Sequence, residues 1–171
     1  MKTWHKLGLI VSGLLAITSW VIALYFWPQL PNTIPTHFGF NGLPDAWNQK
    51  LIWYVFLIPT IHSIIAGLFI FLYEKPQYSD MPTTLWLTTL NQKQKNHAFA
   101  LIRTMLVGTS LWIGLLLTYL TLAMNLSAFP ELMIAVSPLI IFLLVAGMII
   151  WLVWWTIKVY RETKVLIKKG N

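Results

Sequence analysis

Residues 51–73, LIWYVFLIPTIHSIIAGLFIFLY, carry no Asp, Glu, Lys or Arg. As an α-helix rising about 1.5 Å per residue, this run spans about 34 Å, enough to cross the roughly 30 Å hydrocarbon core of a bilayer. Its apolar residues are continuous rather than alternating, which excludes a transmembrane barrel strand. Three further uncharged runs, residues 7–27, 104–124 and 132–157, are also long enough to cross. The sequence therefore predicts an all-α membrane protein. Its four-helix transmembrane bundle forms a single integral membrane domain over residues 1–171, with an ordered extracytoplasmic loop between helices 1 and 2.

Composition agrees. Hydrophobic residues make up 57% of the chain and charged residues 10%, against about 25% charged in an ordinary soluble domain. A net charge of +7 would suggest nucleic acid in a soluble protein, but its distribution points to a membrane instead. With four crossings, Lys2, Lys6, Lys75, Lys93, Lys95, Arg103, Lys158, Arg161, Lys164, Lys168 and Lys169 share one side, and only Lys50 lies opposite. The positive-inside rule then places both termini in the cytoplasm and the connection at residues 28–50 outside. The first apolar run ends in Tyr25-Phe26-Trp27-Pro28 rather than a small-residue cleavage site, so it reads as an uncleaved span. Absence of cysteine excludes disulfides and thiolate metal sites. No cofactor, no metal and no nucleic-acid partner is expected.

Aromatic clusters flank the spans: Tyr25, Phe26, Trp27, Trp53 and Tyr54 on the outer side, Trp151, Trp154, Trp155 and Tyr160 on the inner. They read as interface anchors. In the inner connection, residues 83–90 are apolar enough to lie along the membrane surface, and Asn91 caps a helix running through Arg103 into span three. Arg103 is expected to snorkel to water. The tail, residues 158–171, continues as a helix whose Lys158, Arg161, Lys164 and Lys168 suit anionic lipid on the cytoplasmic leaflet. Ser63/Gly67 and Ser110/Gly114 are small-residue faces for helix packing, within one chain or in a homo-oligomer. Pro59 and Pro138 fall inside spans two and four as a faint pair of kinks.

The connection PQLPNTIPTHFGFNGLPDAWNQK, residues 28–50, is longer and more structured in composition than a simple link needs. Its prolines exclude a helical continuation of span one, and Asn41-Gly42 signals a tight turn. Phe38-Gly39-Phe40 then folds back on residues 43–47, where Pro44 limits any strand. Asp45 is placed to cap the helix that begins near Ala46, and Lys50 to pair with Asp45 or a lipid phosphate.

Pro31-x-x-Ile34-Pro35-x-His37-Phe38, followed by Gly42-x-Pro44-Asp45-x-Trp47-x-x-Lys50, resembles the signature of the SdpI-like bacterial membrane protein family (domain of unknown function 1648). In that family the signature also lies between the first two spans. The resemblance implies a multi-pass protein of the bacterial cell membrane. The name-giving branch protects the producing cell against a secreted peptide toxin and takes part in signalling that exposure. SdpI-type members generally carry further spans and a second domain, which the 171 residues do not include.

The candidate ligand-binding residues are Pro35, His37, Phe38, Gly42, Pro44, Asp45, Trp47 and Lys50. His37 has three readings. Its ring holds the turn by bonding loop carbonyls; it ligates a metal, for which it lacks the three or four donors needed; or it binds a ligand or senses pH. His62, midway along residues 51–73, is a functional candidate because an ionisable group at that depth is costly. The plainer account is a neutral imidazole bonded to a Ser or Thr on another span. Motifs for catalysis are absent, and the chain is read as no enzyme. The leading function is receptor-like or immunity-like binding of an extracellular peptide or a lipid-surface ligand by the loop. The alternatives are a small transporter component using His62 and a membrane enzyme using His37 and Asp45.

Overall fold

The computed structural model describes residues 3–79, 90–132 and 136–168. Its elements are helix α1 (Thr3–Phe26), strands β1 (Thr33–Phe38) and β2 (Pro44–Gln49), and helices α2 (Ile52–Glu74), α3 (Gln92–Leu126) and α4 (Pro138–Lys168). Short 3-10 turns lie at Pro76–Tyr78 and Pro130–Leu132. All four helices are long and apolar enough to cross a membrane, and the chain is a multi-pass membrane protein by that criterion. The expected surface-lying segment at residues 83–90 falls, but for Leu90, outside the described residues, as do Lys2 and Lys169.

Helices α1, α2 and α3 pack mutually, and α4 runs antiparallel along α3. The seam of α1 is made of His5, Gly8, Ser12, Ala16, Ser19 and Ala23, all buried and three or four residues apart. That is the pattern of a left-handed helix pair, here built from small and polar side chains, as lipid-embedded interfaces favour. His5, Ser12 and Ser19 recur every seven residues, and each reaches another helix. His5 Nε2 bonds Thr104 Oγ1 at 3.1 Å while the Tyr73 hydroxyl meets its Nδ1 at 3.3 Å. Ser12 and Ser110 hydroxyls bond at 2.5 Å, and Ser19 Oγ lies 2.9 Å from His62 Nδ1. The α3–α4 contact interlocks through two reciprocal pairs, in which Gly108 lies under the Trp151 ring and Gly147 under that of Trp112. Trp151 Nε1 donates to Met105 O at 3.3 Å. These contacts set the N-terminal end of α1 and the C-terminal end of α4 at the same end of the bundle.

Several sequence expectations are corrected. Helix α4 begins at Pro138 rather than near residue 132. Ser137 Oγ accepts from Ile140 N at 3.4 Å, so Ser-Pro is a start signal with proline at the first helical position and not a kink. Pro59 does lie inside α2, buried. Ser63 accepts from Trp20 Nε1 of α1 at 2.9 Å, whereas Gly67 is exposed with nothing near it; Ser110 and Gly114 face α1. Arg103 is partly exposed and is also drawn back onto α2. Its Nε donates to Tyr73 O at 3.0 Å and its guanidinium lies 5.6 Å from the Tyr73 ring centroid, closing an orphan carbonyl at the end of α2. The Asn91 cap is present as a full capping box with Gln94, and the tail continues as helix to Lys168.

Candidate functional site

The connection between α1 and α2 is a β-hairpin. Thr33 pairs with Gln49, Ile34 with Asn48 and Pro35 with Trp47, then the register breaks twice, with His37 opposite Ala46 and Phe38 opposite Pro44. The first break leaves Thr36 as an extra residue on β1, and the second leaves Asp45 as an extra residue on β2. Bulges of this kind re-aim side chains. Here they turn two residues eight apart in sequence toward each other: His37 Nδ1 and Asp45 Oδ1 are 2.5 Å apart. Because a carboxylate only accepts, Nδ1–H is the donor, and in the neutral ring Nε2 is left as an acceptor. The side chains are 70% and 50% exposed respectively.

Asp45 is therefore no helix cap. Helix α2 starts at Ile52 after Leu51, without any side-chain cap bond, because pairing with β1 holds residues 44–49 extended. Nor does His37 bond loop carbonyls as expected. Lys50 turns away from Asp45 as well. Its Nζ donates to Leu30 O at 2.8 Å and Trp27 O at 3.3 Å and lies 5.1 Å from the Trp27 ring centroid, tying the hairpin base to the end of α1. Pro44 does not prevent the strand, because it is its first residue, where a missing amide costs least.

The signature residues thus divide by role. Ile34 and Pro35 are buried in the hairpin base, over a cluster of Ala23, Leu30, Val55 and Ala128. Gly42 has φ of +77°; its carbonyl accepts from Val136 N at 2.9 Å. His37, Asp45 and Trp47 stand exposed. Beneath the hairpin, a cavity of about 20 Å³ is lined in part by Ile34, Tyr54, Thr121 and Asn125. It has room for one water and not for a ligand, so any recognition falls to the outward face and tip. There Phe38, Gly39, Phe40 and Gly42 face Val136, Pro138, Ile141, Phe142 and Val145 across an open apolar groove. The far wall of that groove was illegible in sequence, lying about ninety residues downstream. The one signal in the sequence is an aromatic, Phe40, beside the Asn41-Gly42 turn.

His62 is buried at 1% exposure. Its Nδ1 lies 2.9 Å from Ser19 Oγ, whose hydroxyl also reaches Leu15 O at 3.2 Å and Thr118 Oγ1 of α3 at 3.3 Å, while Nε2 is without a partner, packed near Gly114. The ring thus joins α1 and α2 through a hydrogen bond to a serine on another span, as the plainer account expects.

Residues 14–62 match a family described as a domain of unknown function, DUF1648. The matched stretch contains most of α1, the whole hairpin, and α2 as far as His62. An uncharacterized protein of Archaeoglobus fulgidus is 37% identical over 87 residues, which cover 47% of this chain and 45% of that protein. The chain thus spans less than half the length of that relative. No solved structure matches the chain.

Proposed function

We propose that this chain is an SdpI-like protein of the cell membrane that recognises a membrane-active peptide or a lipid-surface ligand through the hairpin, in the manner of a receptor or immunity protein. Both termini are cytoplasmic in this reading, and the hairpin is extracytoplasmic. The observation that carries it is the His37–Asp45 pair. Two compensating bulges aim these side chains at each other on the exposed face, a conformation that the hairpin alone does not require. Asp45 fixes the imidazole so that Nε2 is left to meet a hydrogen-bond donor, while Phe38 and Phe40 supply adjoining apolar contact. The test is growth of a sensitive host exposed to a panel of membrane-active peptides, with and without the chain. Protection that is lost in His37→Ala and Asp45→Asn, at unchanged membrane abundance, supports the reading. Protection that survives both variants sinks it.

The same bond favours a second reading. An Asp-oriented imidazole is the arrangement of a general base, which suits a membrane enzyme acting on a lipid-linked substrate. Headgroup turnover in proteoliposomes that disappears with His37→Ala would select it over binding alone.

A further inference from the structure

We propose that the groove between the hairpin tip and α4 seats an acyl chain of a bilayer phospholipid. The inference shares the hairpin with the ligand reading above but does not depend on it, because it needs only the groove and the membrane around it.

One wall is the hairpin tip: Phe38, Gly39, Phe40 and Gly42. The other is Val136 and Pro138 with the first two turns of α4, Ile141, Phe142 and Val145. No lining residue is charged or carries a polar side chain. At about 430 Å³ the groove falls within the roughly 300–1,000 Å³ typical of ligand sites. Its depth argues for the occupant. Val145 follows Pro138 by seven residues, so the groove runs about 10 Å along a helix that crosses the membrane. At that depth water is a poor filler, since it would forfeit its own hydrogen bonds against an apolar lining.

Three further observations make the groove continuous with the bilayer. Leu139 and Phe142 are 66% and 68% exposed, so this face of α4 looks onto lipid rather than onto another helix of the chain. Phe40 makes no cover for itself at all, with its exposure above 100%. The tip is also fastened to α4 rather than raised off it: Gly42 O accepts from Val136 N, and a Cβ at Gly42 would collide with the Val136 carbonyl. At the rim stands the polar pair, because a Cβ on Gly39 would lie 3.3 Å from Asp45 Oδ2. A chain seated in the groove therefore brings its headgroup end beside His37 and Asp45.

The chain has no cysteine, so single spin labels report depth without background. Phe40→Cys, Ile64→Cys on the lipid-facing side of α2 and Gln92→Cys at the start of α3 are labelled and placed in phosphatidylcholine bilayers. Collisions with oxygen and with a water-soluble nickel chelate are then compared. The proposal expects the Phe40 label to behave like Ile64, open to oxygen and closed to nickel, and Gln92 to show the reverse. It also expects a phosphatidylcholine with a photoreactive acyl chain to form adducts on residues 38–42. Adding Gly42→Ala to Phe40→Cys should then restore nickel collisions, because the tip loses its seat. A nickel-accessible Phe40 label in the parent overturns the proposal. So does a label shielded from both reagents, which would mean that protein, a bound peptide or a second copy, fills the groove. A lipid-like label without adducts at residues 38–42 overturns it too, as does one that Gly42→Ala leaves unmoved. None of these outcomes depends on a soluble ligand, so loss of peptide protection in the His37 variant and failure here remain separate results.

Discussion

Ser19 and His62 show how a single hydrogen bond is used inside the bundle. Both are buried, and the pair links α1 to α2 across 43 residues. Interhelical polar contacts in membranes contribute about 0.6 kcal/mol on average and up to about 1.7 kcal/mol. This one is expected toward the upper end, because removing Ser19 takes away the only partner of the buried His62 ring among the described residues, its Nε2 already having none. A double-mutant cycle with Ser19→Ala and His62→Ala, read by unfolding in mixed micelles, is expected to give a coupling of about 1–1.7 kcal/mol. A coupling near zero would mean that the ring is held by packing alone. His62 was visible in sequence as an ionisable residue at mid-span. Its partner was not, since one serine among apolar residues carries no mark of the helix it will face. The heptad recurrence of His5, Ser12 and Ser19 did mark that face, and only the spacing could have shown it. At the hairpin, Pro44-Asp45 imitates a helix start so closely that local chemistry points the wrong way. The strand at Pro44–Gln49 exists because of β1, a tertiary cause that short-range propensity does not contain.

Among the elements, α4 is the most loosely held in the bundle. Among the helices it packs chiefly on α3, and few of its residues are buried, chiefly Trp155, Val159 and Thr163 near the C-terminal end. Its registration therefore rests on the glycine–tryptophan pairs. A Cβ on Gly108 would lie 2.0 Å from Trp151 Cζ2, and one on Gly147 2.7 Å from Trp112 Cη2. The Trp151 indole cannot yield cheaply, because it is also fixed by its bond to Met105 O and by Trp155 at 5.5 Å between ring centroids. Overpacking of this kind costs about 1–3 kcal/mol. Gly108→Ala should therefore loosen α4 while leaving α1, α2 and α3 joined. The natural gauge is the distance between spin labels on His97→Cys and Glu162→Cys, whose parent side chains meet at 2.8 Å. It should be narrowly distributed in the parent and broadened or lengthened with Gly108→Ala. An unchanged distribution would show that α4 is registered elsewhere. Helix existence was plain from length and apolar content, and the start of α3 from its capping box. The interlock was not plain, because a glycine and a tryptophan thirty-five or more residues apart reveal nothing until the helices are laid antiparallel.

For the molecule as a whole, the open physical question is which end faces the cell interior. Fold and charge bear on it separately. Packing puts the N-terminal end of α1, the start of α3 and the end of α4 together, with the hairpin at the opposite end. Lys6, Lys75, Lys93, Lys95, Arg103, Lys158, Arg161, Lys164 and Lys168 belong to the first end, and Lys50 alone to the hairpin end, among the described residues. Even Lys50 is occupied, its ammonium engaged by two backbone carbonyls of the α1 terminus. Insertion senses basic residues close to the spans, so an asymmetry this strong leaves little competition from the opposite topology. The prediction follows without reference to any ligand. In intact cells a membrane-impermeant maleimide should modify Asn41→Cys, at the exposed hairpin turn, and spare Gln77→Cys, exposed just beyond α2, until the cells are permeabilised. The opposite pattern would put the His37–Asp45 pair in the cytoplasm. Recognition of an external peptide would then be impossible for this hairpin, although the acyl groove, which asks only for a bilayer on either side, would stand.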